Sequence, residues 1–441
     1  MKAYFYTLGC KVNQYETQAM RRLMEEDGCE TADYLPGEPA AGDAIVIINS
    51  CTVTGESDHK LRKLLRRCRR ENPHAVIVLT GCMPQAFPEE AAALADADIV
   101  LGNAARASLP RQVRRFLTLG QRIVEVTPHG KAFESLAIDE FQGRTRAFVK
   151  IEDGCNRFCS YCIIPYARGR VRSKPLEELR AEAETLAQKG YREIVLVGIN
   201  LTAYGQEWGR TIADAVETAC SVEGIRRVRL GSLEPDAMDE ETIARLARQP
   251  KLCPQFHLSL QSGCDATLRR MNRHYNTADY AAVCAALRNA FPGCALTTDV
   301  MVGFPGEDEE EFRQSLEFVT GIGFSKVHVF AYSQRPGTPA AAAPNQVTAA
   351  EKNARSHRMI EGCTRSREEY LDGQIGRTVE VLLETKGEDG FAEGYAADYT
   401  PVRLPLESFQ PGDILSVLIT GREGETCIGQ AVIERICVSS S

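Results

Sequence analysis

The sequence predicts an α/β protein in three parts: a parallel-sheet domain, a partial barrel of six βα units and a small terminal β-barrel. Three observations lead there. Strand-like and helix-like runs alternate through most of the chain, the pattern of parallel strands joined by crossover helices. After Gly373 the pattern changes to short strands separated by Gly, Asp and Pro, the mark of a small closed barrel. Cysteines stand where predicted strands end, and three of them, Cys155, Cys159 and Cys162, fall within eight residues just after the run Ala147–Glu152.

In the first part, Ala3–Leu8, Ala44–Ile48, Val76–Thr80 and Ile99–Leu101 read as strands, with helices over Glu16–Asp27, Ser57–Arg70 and Pro88–Leu94. His129–Thr145 carries little periodicity and reads as a linker. Six strands follow: Ala147–Ile151, Glu193–Val197, Arg226–Leu230, Phe256–Leu260, Leu296–Val302 and Lys326–Tyr332. Helices over Leu176–Lys189, Ile212–Val222, Asp239–Gln249, Asp265–Asn272 with Thr277–Asn289, and Asp308–Thr320 lie between them, with Pro and Gly at the breaks. Six such units make an incomplete relative of the eight-stranded barrel, whose chemistry sits at the strand carboxyl ends. A connector at Pro336–Pro344 and a charged helix from Ala349 to about Tyr370 precede strands at Thr378–Glu384, Gly390–Ala396, Pro401–Leu406, Ile414–Gly421 and Cys427–Ile436.

The 441 residues, 44% hydrophobic and 25% charged, have the composition of a soluble globular protein with room for several domains. Met1–Gly9 reads as a first strand rather than a signal segment, and no apolar run approaches a membrane span. Sixteen cysteines in that setting point to a reducing cytoplasm and metal ligation rather than a disulfide scaffold. A net charge of −8 argues against a general nucleic-acid coat, so local basic patches must carry any RNA binding.

Three thiolates as close as Cys155, Cys159 and Cys162 can hold one metal centre. A structural zinc needs four closed ligands, yet no further Cys occurs before Cys220 and no His between His129 and His257. A cubane iron-sulfur cluster with three cysteines leaves one iron open for a substrate or cofactor. The plain alternative is three buried thiols, which have no packing reason to cluster in a loop carrying Gly154, Asn156 and Arg157. Cys10, Cys51 and Cys82 each close a strand of the first domain. In open α/β sheets ligands gather at strand carboxyl ends, so three strands would deliver three thiolates to one edge. Singly, each could be an ordinary buried thiol.

The C-x3-C-x2-C spacing, with Tyr161 before the third cysteine, resembles the radical S-adenosylmethionine superfamily. There the open iron chelates the amino and carboxylate groups of S-adenosylmethionine, and electron transfer yields a 5′-deoxyadenosyl radical. Together with the opening Leu8-Gly-Cys-Lys-Val-Asn-Gln-Tyr-Glu16, the strand-end cysteines and the terminal barrel, the chain is identified as a member of the methylthiotransferases over essentially its whole length. The resemblance implies an N-terminal domain over 1–138, a radical S-adenosylmethionine barrel over 141–371 and a TRAM-type barrel over 373–438. It also implies two [4Fe-4S] clusters, an auxiliary one on Cys10, Cys51 and Cys82 and a radical-generating one on Cys155, Cys159 and Cys162. The run from Gly9 to Glu16, Gln261–Asp265 and Tyr275 after Met271-Asn-Arg-His resemble the threonylcarbamoyladenosine-tRNA group. The expected reaction is methylthiolation of C2 of N6-threonylcarbamoyladenosine at tRNA position 37, with no conventional acid, base or nucleophile. Isopentenyl-adenosine tRNA and a ribosomal-protein aspartate are the alternative substrates, and a zinc-containing, non-catalytic RNA-binding protein is the alternative from another class. Implied partners are the tRNA anticodon stem-loop, an electron donor such as flavodoxin or ferredoxin, and a sulfur donor, with no membrane.

By the same resemblance, Tyr161, Gly198, Asn200, Ser232, Glu234, Gln261, Val302 and Gly303, at or near the ends of barrel strands, are the expected S-adenosylmethionine contacts; Gly198–Asn200 can also be read as a plain turn. RNA is expected at two basic patches. The first is Lys60, Arg62, Lys63, Arg66, Arg67, Arg69 and Arg70 on the helix after Cys51, a run with no interleaved acid whose other reading is a solvated face. The second, Arg168, Arg170, Arg172 and Lys174, follows the loop of three cysteines and is expected to meet phosphate or the substrate carboxylate. The terminal barrel is acidic, with eleven Asp or Glu against five Arg or Lys from Gly373 onward, so Phe391, Tyr395 and Tyr399 are its candidate base contacts unless it mainly braces the fold. The ten remaining cysteines read as ordinary thiols.

Overall fold

A computed structural model describes residues 1–387, 390–405 and 409–432. The end of the third expected terminal strand at Leu406, the part of the fifth beyond Val432 and the expected limit at 438 lie outside the described residues.

The N-terminal domain is a six-stranded parallel sheet with strands in the order Glu30–Asp33, Lys2–Thr7, Ala44–Ser50, Val76–Gly81, Ile99–Leu101, Ile123–Glu125. Ala44–Ser50 is buried throughout because both its faces are covered. Val46 and Ile48 pack on Leu61, Leu64 and Leu65 of the helix Gly55–Glu71. Ile45 and Ile47 pack on Met20, Met24 and Val113 from two helices on the other side. The two edge strands and the helix Leu109–Leu119 are additions to the sequence reading. Glu-Thr-Ala-Asp and Ile-Val-Glu are too polar and too short to show a strand period.

The helix expected from Glu16 begins instead at Lys11, with Cys10 as its N-cap, and runs to Glu26. It serves two cores: Met20 and Met24 face the N-terminal sheet, while Val12, Tyr15 and Ala19 enter the core of the second domain. One helix therefore belongs to both domains.

The second domain carries the six expected strands, all parallel, in two sheets: Arg146–Lys150, Glu193–Val197 and Arg227–Leu230, then Ser232–Leu233, Gln255–Leu258, Ala295–Val302 and Lys326–Ala331. Gly231 interrupts the third strand, and a Cβ there would meet the Leu196 carbonyl oxygen at 3.3 Å. The first and sixth strands share no ladder among the described residues, so the barrel is open on one side.

Beyond the helix Ala349–Asp372 lies a closed five-stranded barrel, Thr378–Lys386, Phe391–Ala396, Pro401–Pro405, Thr426–Ala431 and Ile414–Glu423 in spatial order. It docks at the amino ends of the larger barrel's strands. Arg227 donates to the carbonyl oxygens of Glu380 (2.6 Å) and Tyr395 (3.3 Å). Arg146 lies 5.0 Å from the ring centres of both Tyr395 and Tyr399, and Arg229 lies 4.5 Å from that of Tyr399. These two tyrosines, expected as base-stacking surfaces, are instead turned inward onto arginines of the neighbouring domain.

Candidate active site

The strand-end triad is built by the sheet. Adjacent parallel strands end at Thr7, Ser50 and Gly81, so Cys10, Cys51 and Cys82 come to one edge. Gly9 (φ +135) lies so close that a Cβ would be 3.1 Å from Cβ of Cys51. Gly81 (φ +104) presses on the Ser50 backbone, where no side chain fits. Asn13, one turn into the helix, ties the edge together: its Nδ2 donates to the Ser50 carbonyl (3.1 Å), and its Oδ1 accepts from the Cys10 thiol (3.3 Å). Asn103 reaches across the domains, donating to the Ala167 carbonyl at 2.9 Å with Cys82 Sγ 3.7 Å away.

The second triad sits on one loop after the first barrel strand. Phe158 takes φ +51, a left-handed turn between Cys155 and Cys159. The segment after Arg270 clamps it: Ser160 N donates to Met271 O (3.0 Å), and Asn272 Nδ2 donates to Phe158 O (3.1 Å). Arg273 donates to Cys159 Sγ (3.3 Å) and pairs with Glu234. Arg157 pairs with Asp236, with one nitrogen–oxygen separation of 2.7 Å.

Burial pushes the thiols of Cys155 and Cys162 up to about 11 and about 12, and that of Cys51 up to about 12. The metal-free thiols therefore stay protonated near neutrality, and loading a metal centre releases protons. Among the described residues no three His, Cys, Asp or Glu side chains converge on a single-ion site. The donor sets, three soft thiolates each, suit clusters that take one cysteine per iron.

The expected cofactor contacts lie along the carboxyl rim of the barrel. Below the rim, Glu152 is wholly buried, and its Oε2 accepts from the backbone N–H of Ile199 and of Asn200 at 2.7 Å each. Its Oε1 has no hydrogen-bond partner, and burial raises its carboxyl to about 8. Ser232 and Ser259 hydroxyls lie 2.9 Å apart. Gln261 (φ +70) bridges the rim through Met301 N–H (2.8 Å), and Gly303 (φ +69) faces Lys352 with no room for a side chain. Val302 is buried, and Tyr161 packs edge-on to Phe304 with ring centres 6.4 Å apart. An orphaned acceptor, a ring of backbone and hydroxyl groups and an adjoining thiol loop fit an amino-acid-bearing nucleoside such as S-adenosylmethionine. Gly198 and Ser232 open into one cavity of about 880 Å³ that runs from the barrel lumen to the terminal barrel at Tyr395, Tyr399 and Glu425, and Cys10 opens into the same cavity.

The second basic patch is corrected. Arg168 is fully buried, Arg172 and Lys174 nearly so, and Lys174 pairs with Glu182. Arg168 instead joins a buried ionic network: Glu16 binds Arg168 (2.7 Å), Arg106 (2.8 Å) and Lys150 (2.9 Å), and Asp153 binds Lys150 (2.9 Å) and Arg168 (3.1 Å). Arg106 also binds Glu134 (2.6 Å), so the expected linker is a strap packed into the junction, with Ile138 and Phe141 buried in the core. Burial alone would raise the Glu16 carboxyl, but Arg106, Arg168 and Lys150 hold it down at about 2. Arg170 alone of that patch is exposed, 4.7 Å from the Phe158 ring centre. In the first patch Lys60, Lys63, Arg66 and Arg70 are exposed, with Lys60 beside Glu56 at 3.1 Å. Arg62, Arg67 and Arg69 are tied to Glu90, Glu71 and Asp98 at 2.6 Å each.

Residues 149–319 match the Radical SAM superfamily, and residues 2–102 match the Uncharacterized protein family UPF0004. The chain is 39% identical over 427 residues to the threonylcarbamoyladenosine tRNA methylthiotransferase MtaB of Bacillus subtilis (strain 168), covering 94% of this chain and 93% of that one. The chain belongs to the radical SAM tRNA methylthiotransferases. The MtaB of Thermotoga maritima is 38% identical with 89% of each chain covered, and a tRNA-2-methylthio-N(6)-dimethylallyladenosine synthase of Pelotomaculum thermopropionicum is 32% identical with 96% of each covered. Among solved structures, the radical S-adenosylmethionine methyltransferase TsrM of Kitasatospora setae superposes with a TM-score of 0.57 at 15% identity over 77% of each chain, a likeness of fold. The methylthiotransferase is thus an enzyme that methylthiolates tRNA, and its cofactors are [4Fe-4S] clusters and S-adenosylmethionine. No described helix is long and apolar enough to cross a membrane.

Sequence reasoning missed Arg273, Glu152 and the Asn13–Glu16 pair of contacts. Arg273 stands in the segment singled out for Tyr275, but nothing in its spacing points to a cysteine 114 residues away. Asn13 and Glu16 lie inside the opening motif, and their shared helical face became visible only once the helix was seen to start at Lys11.

Proposed function

We propose that the enzyme methylthiolates C2 of N6-threonylcarbamoyladenosine at position 37 of tRNA, with an auxiliary [4Fe-4S] cluster on Cys10, Cys51 and Cys82 and a radical-generating one on Cys155, Cys159 and Cys162. The observation that carries this reading is the shared cavity: Cys10 of one triad and Gly198 and Ser232 of the rim beside the other open into the same space. The relatives named for threonylcarbamoyladenosine, at 39% and 38% identity, support this substrate over the dimethylallyl one at 32%. The clusters and S-adenosylmethionine, when bound, supply the one-electron chemistry and the methyl group that methylthiolation of an unactivated C2–H requires.

The chain's own residues do the holding and orienting. Arg273 offers an N–H to Cys159 Sγ, which stabilises negative charge on a coordinated thiolate. The Glu152 carboxyl, anchored on two backbone N–H groups and raised to about 8 by burial, keeps a buried unpartnered oxygen below the rim; a ligand ammonium reaching it would favour its ionised form. The network around Glu16 ties the first turns of the Cys10 helix to Asp153, two residues before Cys155, so the triads are held in one frame. An exposed face of Lys60, Lys63, Arg66 and Arg70, with Arg170, is the RNA-facing surface in this reading. Flavodoxin or ferredoxin as electron donor, a sulfur donor and a cytoplasmic location complete it.

Mass analysis of tRNA nucleosides from cells with and without the gene tests the reading. Loss of 2-methylthio-threonylcarbamoyladenosine with accumulation of its precursor is expected. Loss of the 2-methylthio group from dimethylallyladenosine, or of a modified ribosomal-protein aspartate, would replace it.

A further inference from the structure

The motif residue after Cys10 has no role in holding a cluster, yet it points into the cavity. Lys11 and Cys10 both line that space, and Lys11 Nζ lies 6.0 Å from the centre of the Phe148 ring on the barrel wall. The ionisable groups that act most strongly on Lys11 are Tyr399, Arg229, Arg146 and Cys10, with His328 also in reach; the carboxylates Asp299, Asp398 and Glu425 line other parts of the same cavity. Arg229 and Arg146 already share Glu193, at 2.9 and 3.9 Å, and Arg146 also binds Glu384 at 2.7 Å. Lys11 is therefore an extra cation on a wall whose other cations are satisfied. The Lys11 side chain is exposed to this space, so its charge is open to an anion that enters the cavity.

The same lumen is polar on another wall. His257 binds Thr297 Oγ1 through Nδ1 (3.0 Å) and Asp299 through Nε2 (3.3 Å), and the His328 ring lies 6.0 Å from it. All four residues line the cavity, which at about 880 Å³ accepts a nucleoside with a sizeable substituent. A branched apolar group would leave the Lys11 charge without a partner, whereas a substituent with a carboxylate would satisfy it and one with a hydroxyl could join the His257–Asp299 pair.

We propose that Lys11, with the His257–Asp299 pair in the same lumen, makes the enzyme select adenosines whose N6 substituent ends in a carboxylate. The inference rests on the substrate reading above and assigns its recognition to residues. It also moves carboxylate recognition away from Arg168 and Arg172, which the fold buries elsewhere.

The test uses reconstituted full-length protein and synthetic anticodon stem-loop RNA carrying either threonylcarbamoyladenosine or its threonine methyl ester, which removes only the charge. The parent is expected to bind the acid about tenfold or more tightly than the ester. Lys11→Met and Lys11→Gln bring the acid-to-ester ratio to near one, and Lys11→Arg keeps the preference. The ratio is taken within each protein, so a partly folded variant still reports. An equal affinity of the parent for acid and ester, or an unchanged preference in Lys11→Met, overturns the proposal. Failure of the substrate reading looks different: the parent would then methylthiolate a dimethylallyladenosine stem-loop and leave the threonylcarbamoyl one unmodified, which overturns both.

Discussion

The two cysteine triads differ in what brings their thiols together. Cys155, Cys159 and Cys162 share one loop, and chain connectivity alone keeps them within a few residues of each other. Cys10, Cys51 and Cys82 span 10–82 and meet only because three strands run parallel in adjacent order and end at one edge. The loop triad is thus a local object clamped from outside by Arg273 and Asn272, whereas the strand-end triad is a property of a folded sheet. A local site should survive loss of distant structure, and a topological site should not.

The largest contrast comes from removing the triads in turn. The triple variant Cys10→Ala/Cys51→Ala/Cys82→Ala is expected to fall from about eight irons per chain to about four after anaerobic reconstitution, losing methylthiolation but keeping reductive cleavage of S-adenosylmethionine. The variant Cys155→Ala/Cys159→Ala/Cys162→Ala is expected to lose both activities. Four irons in the parent and in the first variant alike would remove the auxiliary-cluster assignment.

Next in size is the ionic network that couples the triads. Glu16→Gln leaves Arg106, Arg168 and Lys150 short of a buried counter-charge, a loss of about 3–5 kcal/mol. Denaturant unfolding is expected to show the N-terminal domain melting earlier, with strand-end iron lost before loop iron. Acid should act in the same direction. The Glu16 carboxyl is depressed from 4.5 to about 2 on folding, so its contribution is fully present above the unfolded value and disappears as pH falls from there towards 2. An unfolding midpoint flat across that window would show that the network does not couple the domains.

Two glycines sharpen the comparison on a smaller scale. Gly81→Ala forces a side chain against the Ser50 backbone at φ +104, and Gly154→Ala forces one against the Arg170 carbonyl at φ +89. Each strain costs about 1–3 kcal/mol. The first is expected to lower strand-end iron selectively, and the second to disturb the loop cluster, resolved by electron paramagnetic resonance of each. Equal damage to both clusters from either change would mean that the triads are not built independently.

The smallest effect concerns the clamp. Arg273→Gln removes a cationic donor 3.3 Å from Cys159 Sγ. The loop cluster's reduction potential is expected to fall by on the order of tens of millivolts, with the other cluster unmoved. A shift confined to the strand-end cluster would contradict the placement of Arg273.

Much of the fold was legible because its signals are local. The barrel strands and helices sit within a few residues of their expected limits, since apolar runs, Pro and Gly breaks and caps such as Asp239 and Asn276 act over one or two turns. The early start of the first helix was missed because Lys-Val-Asn-Gln-Tyr-Glu carries no single apolar stripe: Val12 and Tyr15 face the barrel core while Asn13 and Glu16 face polar partners. The basic patch at Arg168–Lys174 was misread for a related reason. Sequence shows that charges are dense, but only the docking of the N-terminal domain shows that Glu16 meets Arg168 and Tyr15 meets Lys174.

The sequence by itself therefore determined the order of elements, the loop triad and the family motif, because each depends on neighbours in the chain. The tertiary structure decided which charges are buried, which tyrosines brace a domain rather than meet solvent, and which cavity Lys11 enters. Those outcomes depend on which surfaces other domains cover, and desolvation, not residue type, then sets whether a charge serves as surface, lock or ligand.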